Sequence, residues 1–343
     1  MIRKLLVIVL ALMLLTGCAN LQQPESQQLT QYNASFLTLF DTVTTMVGRY
    51  PSEKEFAEVT QAIHDELLVY HQLFDIYNDY EGLNNLKTVN DQAGIAPVEV
   101  DARIIDLLTD CKAYYELTGG KVNVAMGSVL FLWHVARNDS IDDPANGYTP
   151  DMDALKEASE HCAFDSIIID AEKGTVFIED PDQRLDVGAV AKGWSLQKVA
   201  ENAPSGLLIS VGGNVAATGP KDTSGTPWVV GVTNPDGGNY LHTLNVSKGS
   251  VVTSGDYQRF YMVDGVTYHH IIDPVTLFPS NYWRSVTIVC DDSGLADALS
   301  TALFLLPQAE GQALLDTCGA EALWMDLEGN LHYSTNFETL IRT

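Results

Sequence analysis

The chain has 343 residues, 46% of them hydrophobic, enough to bury a sizeable core, and a formal net charge of −26 at pH 7. That charge repels nucleic acid and no basic cluster offsets it, which excludes a nucleic-acid partner. A polyanionic ligand would need local help here, from a bound cation or from helix N-termini.

Arg3 and Lys4 precede an apolar run, Leu5 to Leu15, that is too short to cross a bilayer comfortably. Residues 1–17 therefore read as a secretory leader. Its end, "LTGC", is similar to a bacterial lipobox, which implies lipidation of Cys18 and a lipid-anchored protein on the extracytoplasmic face of the cell membrane. Residues 18–35 are polar and Gln-rich and read as a tether, leaving 36–343 as one folded domain. The remaining cysteines, Cys111, Cys162, Cys290 and Cys318, form no Cys-x-x-Cys pair, so a zinc site is not expected; their spacing does not demand disulfides either.

Within the domain, the β-rich stretch 36–47 reads as a strand. Residues 52–77 have helical periodicity behind Ser52 and predict one long helix. A second helix is expected over 101–120 with a glycine stop, and a third, shorter one over 152–163. Residues 166–180 look like a hairpin around Lys173-Gly174, followed by a helix over 191–204. "GLLISVGGNVAATG" and "WVVGVTNP" read as strands interrupted by glycine. In 257–272, Asp264-Gly265 predicts a type I′ hairpin. "SVTIVC" is a strand, and 293–306 a helix capped by Ser293. The irregular mixture of strands and helices predicts an α+β fold rather than a doubly wound sheet.

Four stretches could carry chemistry. In "LDVGAVAKGW", Gly188, Ala189, Ala191 and Gly193 leave a helix start nearly bare, open to a ligand or to tight helix packing, with Asp186 and Lys192 adding one charge of each sign. In "SVGGNVAATG", Gly212-Gly213 reads more readily as a turn or bulge than as a dinucleotide loop, because G-x-G-x-x-G is absent. In "ADALSTA", Asp297 and Thr301 share a helix face and are hard oxygen ligands for Mg²⁺ or Ca²⁺, or else a helix-end charge and a back-bonded hydroxyl. In "TYHHIIDP", His269 and His270 point to opposite strand faces, so only one can look into a cleft as a general base.

No single stretch decides the function, but their order does. "LDVGAVAKGW", "GLLISVGGNVAATG", "VVTSGDYQRF", "HHIIDPVT" and "SVTIVC…ADALSTALF", preceded by "FDTVTTM" and "GGKVNVAMGSVLFLW", resemble the ApbE family, the FAD:protein FMN transferases, across roughly residues 36–330. The resemblance implies a single α+β (T-fold-like) domain with a mixed, mainly antiparallel sheet and packed helices. It implies Mg²⁺-dependent transfer of FMN from FAD to a Thr or Ser hydroxyl of an exported or membrane-bound target protein, with release of AMP. Carried over by motif, Mg²⁺ would be held by the Ala189 carbonyl, Asp297 and Thr301, with Ser300 beside them. Asp186 and Lys192 would contact FAD. Phe40 and Tyr77 would lie against its rings, Lys121, Val122 and Asn123 would line the site, and Ile271 would touch FAD beside the base, His270. This sequence departs from the family pattern at three places. Phe40-Asp41-Thr42 fills a slot often held by Met-Gly-Thr, Asn123 stands where Asp is common, and Leu277 replaces a usual glycine. An FAD pyrophosphatase, with water as acceptor, and a non-catalytic FAD-binding lipoprotein are the alternatives.

Overall fold

The structure is a computed structural model that describes residues 29–37 and 39–343. The expected leader, Cys18 and all of the expected tether before position 29 lie outside the described residues. Among those described there are eight α-helices and fifteen strands. No helix among them is long and apolar enough to cross a membrane.

The first strand, β1 (Thr30–Leu37), begins inside the stretch expected to be tether. Its polar composition hides a period-two signal: Tyr32 and Phe36 stack on Phe56 and His64 of the helix that follows. The expected single strand over 36–47 is two strands instead. The backbone at Phe40 and Asp41 turns left-handed, with φ of 52° and 53°, and β2 (Val43–Tyr50) runs back antiparallel to β1.

Helix α1 (Glu53–Phe74) starts at Ser52, whose side chain accepts the Glu55 N–H, as expected. It stops three residues short of Tyr77. The Asp75 carboxylate captures the Tyr77 and Asn78 N–H groups at 2.7 and 3.0 Å and converts the helix end into a turn. Then follow α2 (Leu86–Asp91), β3 (Val98–Glu99), α3 (Ala102–Leu117) and α4 (Gly127–Asp142). Helix α4 escapes pattern reading because its apolar residues are not confined to one face: Phe131 and Ile141 are exposed while Val129 and Trp133 are buried. Next come α5 (Met152–Ser159), β4 (Ile167–Asp170) and β5 (Thr175–Ile178), the expected hairpin, with Gly174 at φ 65°.

Helix α6 (Ala191–Asn202) precedes β6 (Leu207–Val211) and β7 (Asn214–Ala217), joined by Gly212-Gly213 as a tight turn with φ of 59° and 95°. After β8 (Trp228–Val232), β9 (His242–Val246) and β10 (Gly249–Gly255) comes the ribbon β11 (Phe260–Val263) and β12 (Val266–His269). Its turn has φ of 48° at Asp264 and 81° at Gly265, the type I′ geometry. The chain ends with β13 (Trp283–Cys290), α7 (Ser293–Phe304), α8 (Gln308–Cys318), β14 (Glu321–Asp326) and β15 (Leu331–Tyr333). Helix α7 is capped by Asp292, which accepts the Leu295 N–H at 2.8 Å, and not by Ser293, the first helical residue.

Eight strands form one wholly antiparallel sheet in the order β1-β2-β6-β7-β10-β13-β14-β15. Helices α1, α6 and α7 cover one face and build the main core, from Met46 and Leu67 to Ile288 and Phe304. The β8–β9 ribbon and Phe337 cover part of the other face. A third cluster, around Trp133, seats the β11–β12 ribbon on α4. This is the α+β arrangement expected from the sequence. Cys111, Cys162, Cys290 and Cys318 are all free.

Candidate active site

The site begins where α6 meets α7. The Val187 carbonyl accepts the N–H groups of Val190 and Ala191, winding the Ala189 turn into the helix. Gly193 brings the two helices together: a Cβ there would lie 2.3 Å from the Ser293 carbonyl oxygen and 2.4 Å from Asp297 Cβ. The bare backbone serves packing, and the close approach also sets a functional group. The Gly193 N–H donates to Asp297 Oδ2 at 2.8 Å, and Lys192 Nζ stands 3.7 Å from the same oxygen.

Asp297 is 4% exposed, and among the described residues no donor takes its Oδ1. Thr301, half-buried, lies one turn on along the same face. Ser300 is fully buried, with its hydroxyl shared between the Asp297 carbonyl and Ser254 Oγ, each at 2.8 Å. It underpins the helix turn. A carboxylate with one uncommitted oxygen, a hydroxyl beside it and the turn carbonyl of Ala189 are hard oxygen donors that fit Mg²⁺.

The second wall is the end of β12. His269 is buried; its Nε2 donates to the Ser280 carbonyl at 2.7 Å and its Nδ1 accepts the Ile271 N–H at 3.2 Å. Both ring nitrogens are consumed by the fold. His270 reaches solvent, and its Nδ1 lies 3.2 Å from the Arg259 carbonyl. A carbonyl only accepts, so Nδ1 carries the hydrogen and Nε2 is left as a free base. Although one edge is open, the cleft wall desolvates this ring, and Arg259, His269 and Lys192 add like charge, pushing its pKa down to about 3. Lys192, paired with Asp297 at 3.7 Å, is thus also felt electrostatically at His270.

The third wall carries Tyr77. Its phenol is stacked on His134 of α4, with ring centroids 5.1 Å apart. Partial desolvation, then the Asp186 charge, raise its pKa to about 12, while Arg137 and Arg259 pull the other way. Asp186 accepts the Gly188 N–H at 2.8 Å, and burial raises its pKa. Arg137 Nε is enclosed without an acceptor, and no carboxylate lies within 4 Å of Arg259 among the described residues. In a chain of net charge −26, this is a local surplus of donors suited to an anionic, acceptor-rich ligand.

The other expected residues support these walls. Lys121 pairs with Asp273 at 3.2 Å, tying the segment after His270 in place. Val122 is buried, and the Asn123 amide donates to the Cys162 carbonyl while accepting the Ala125 N–H, both at 2.9 Å. The same segment reaches Asp186, whose N–H bonds the Val124 carbonyl. Ile271 is buried in the main core. Phe40 packs edge-on against His71, and its N–H donates to His71 Nδ1 at 3.3 Å. His134, Arg137 and Arg259 are the site residues that pattern reading missed. The i, i+3 spacing in "WHVAR" was the available signal for the first two, and the helix carrying it was itself unread.

The ApbE family model matches residues 37–324. The FAD:protein FMN transferase of Treponema pallidum is 36% identical over 297 residues, covering 81% of this chain and 80% of the relative. An enzyme of the same name from Klebsiella pneumoniae is 30% identical, covering 74% and 79%. The crystal structure of the ApbE protein of Thermotoga maritima superposes with a TM-score of 0.81 at 28% identity, over 92% of this chain and 100% of the other. The flavin transferase ApbE of Vibrio cholerae, at 21% identity, shares the fold with a TM-score of 0.74, over 91% and 99%.

Proposed function

The chain belongs to the ApbE family, and from that membership we infer that it transfers FMN from FAD to a hydroxyl of an acceptor protein. The observation that carries the chemistry is His270. Its Nδ1–H is committed to the Arg259 carbonyl, which leaves Nε2 free as a base, and the Lys192 charge that pairs with Asp297 also acts on this ring.

In the reaction, an acceptor Thr or Ser oxygen attacks the phosphorus of the FMN half, and its proton passes to His270 Nε2. The bond from that phosphorus to the AMP oxygen breaks, AMP leaves, and FMN remains esterified to the acceptor. Asp186, Lys192, Arg137 and Arg259 place the dinucleotide, and Tyr77 offers it an aromatic face. Ala189, Asp297 and Thr301 would hold Mg²⁺, which when bound neutralises pyrophosphate charge. The acceptor is an exported or membrane-bound protein reached from a lipid anchor at Cys18. Cys18→Ala should release the protein from the membrane, read by fractionation and by mass of the mature N-terminus.

The test of the function is incubation of the purified protein with FAD and Mg²⁺, with and without a synthetic peptide spanning the FMN-bearing threonine of an exported flavoprotein. A peptide mass increase by FMN, matched by AMP release, supports transfer. Free FMN with no modified peptide would mean that water is the acceptor.

A further inference from the structure

Tyr77 is 52% exposed, and nothing in its own turn holds the ring. Asp75 holds Tyr77 only by its backbone N–H, and the phenol hydroxyl has no hydrogen-bond partner among the described residues. The ring nevertheless lies nearly parallel to the His134 imidazole, with planes 26° apart and centroids 5.1 Å apart.

His134 is the rigid member of this pair. It sits on α4 beside Trp133, which is buried and donates from Nε1 to the Leu277 carbonyl at 2.9 Å. Its Nε2 is 2.9 Å from the Asn138 amide nitrogen and its Nδ1 is 3.5 Å from Arg137. Arg137 in turn donates to Asn138 Oδ1 of the side-chain amide at 3.3 Å. Both neighbours are donors and a neutral imidazole accepts at one nitrogen only, so the Asn138 amide, one helical turn on, holds the ring at Nε2, leaving one ring face for Tyr77.

We propose that His134 is a positioning residue for the dinucleotide, backing the Tyr77 ring so that its outer face is presented flat to a ring of FAD. This rests on the FAD reading above. Without the backing, the phenol is free to rotate about its own side-chain bonds, and binding must freeze it. The loss falls on binding rather than on chemistry, because His270 and Asp297 stand on other elements.

The test measures FAD affinity through quenching of flavin fluorescence, together with KM for FAD and kcat for AMP release. His134→Ala should raise Kd and KM about two- to tenfold, the size of one aromatic pair. It should also weaken the quenching, with kcat retained. His134→Phe should restore affinity and quenching; His134→Gln should not. In a Tyr77→Ala background, His134→Ala should add nothing further. Equal, additive losses in that background, or no rescue by a folded His134→Phe protein, would overturn the proposal. If the unmutated protein binds FAD but releases no AMP, the transferase reading fails while the binding and quenching arms still judge His134.

Discussion

His269 and His270 are neighbours in sequence, but each is disposed of by a different carbonyl. Ser280 takes the Nε2–H of His269 and Arg259 takes the Nδ1–H of His270, so only the second keeps an outward base. His270→Ala should lower single-turnover FMN transfer by about 10²–10⁴-fold, with FAD still bound by the other walls. Its depressed pKa also sets a direction. The base is unprotonated in the free enzyme across neutral pH, so the acid limb of kcat/KM should lie well below pH 6.5. For stability, the unfolded chain accepts protons near pH 6.5 at both histidines, while the folded chain holds both pKa values below that, chiefly through burial. Above pH 6.5 neither contributes a slope. As pH falls below it, the unfolded state gains protons first and stability drops. His269→Gln should flatten the dependence of melting temperature on pH between about 6.5 and 5, where ordinary carboxylates are still ionised. An unchanged slope would remove His269 as a cause.

At the scale of elements, the junction of α6 and α7 and two left-handed turns do most to place the site. Gly193→Ala puts a methyl group against the Ser293 carbonyl and Asp297 Cβ, so the helices must separate. Overpacking of this kind costs about 1–3 kcal/mol. It should also loosen the 2.8 Å hold of the Gly193 N–H on Asp297, raising the Mg²⁺ concentration needed for half-maximal activity; melting curves and a Mg²⁺ titration check the two effects. Asp41 and Leu277 adopt a glycine-like backbone, with φ of 53° and 61°. Asp41 is exposed, so Asp41→Gly should relieve strain and stabilise the protein by about 1 kcal/mol. Leu277 is only 7% exposed within the Trp133 cluster. There Leu277→Gly loses more burial than it gains in backbone freedom, and the melting temperature should fall.

For the molecule as a whole, the net charge of −26 opposes a pyrophosphate, and the proposed Mg²⁺ would offset it together with Lys192, Arg137 and Arg259. EDTA should abolish AMP release, and Asp297→Ala should do the same with partial recovery at high Mg²⁺; turnover unaffected by EDTA would rule the cation out. The sequence alone was sufficient for the fold class, the family, the Ser52 cap, the three glycine-marked turns and the ordered set of site motifs, because turn chemistry and local spacing are written in contiguous residues. It was insufficient wherever a residue's work depends on a distant partner. The β1 strand shows as a strand only once Tyr32 and Phe36 have Phe56 and His64 to stack on. His134 backs Tyr77 across a separation of 57 residues, and Gly193 meets Asp297 across 104. Which nitrogen of His270 stays free depends on the Arg259 carbonyl across the ribbon. Such juxtapositions are set by how helices pack on the sheet, a property of side-chain volume and backbone approach over the whole core that no local window contains.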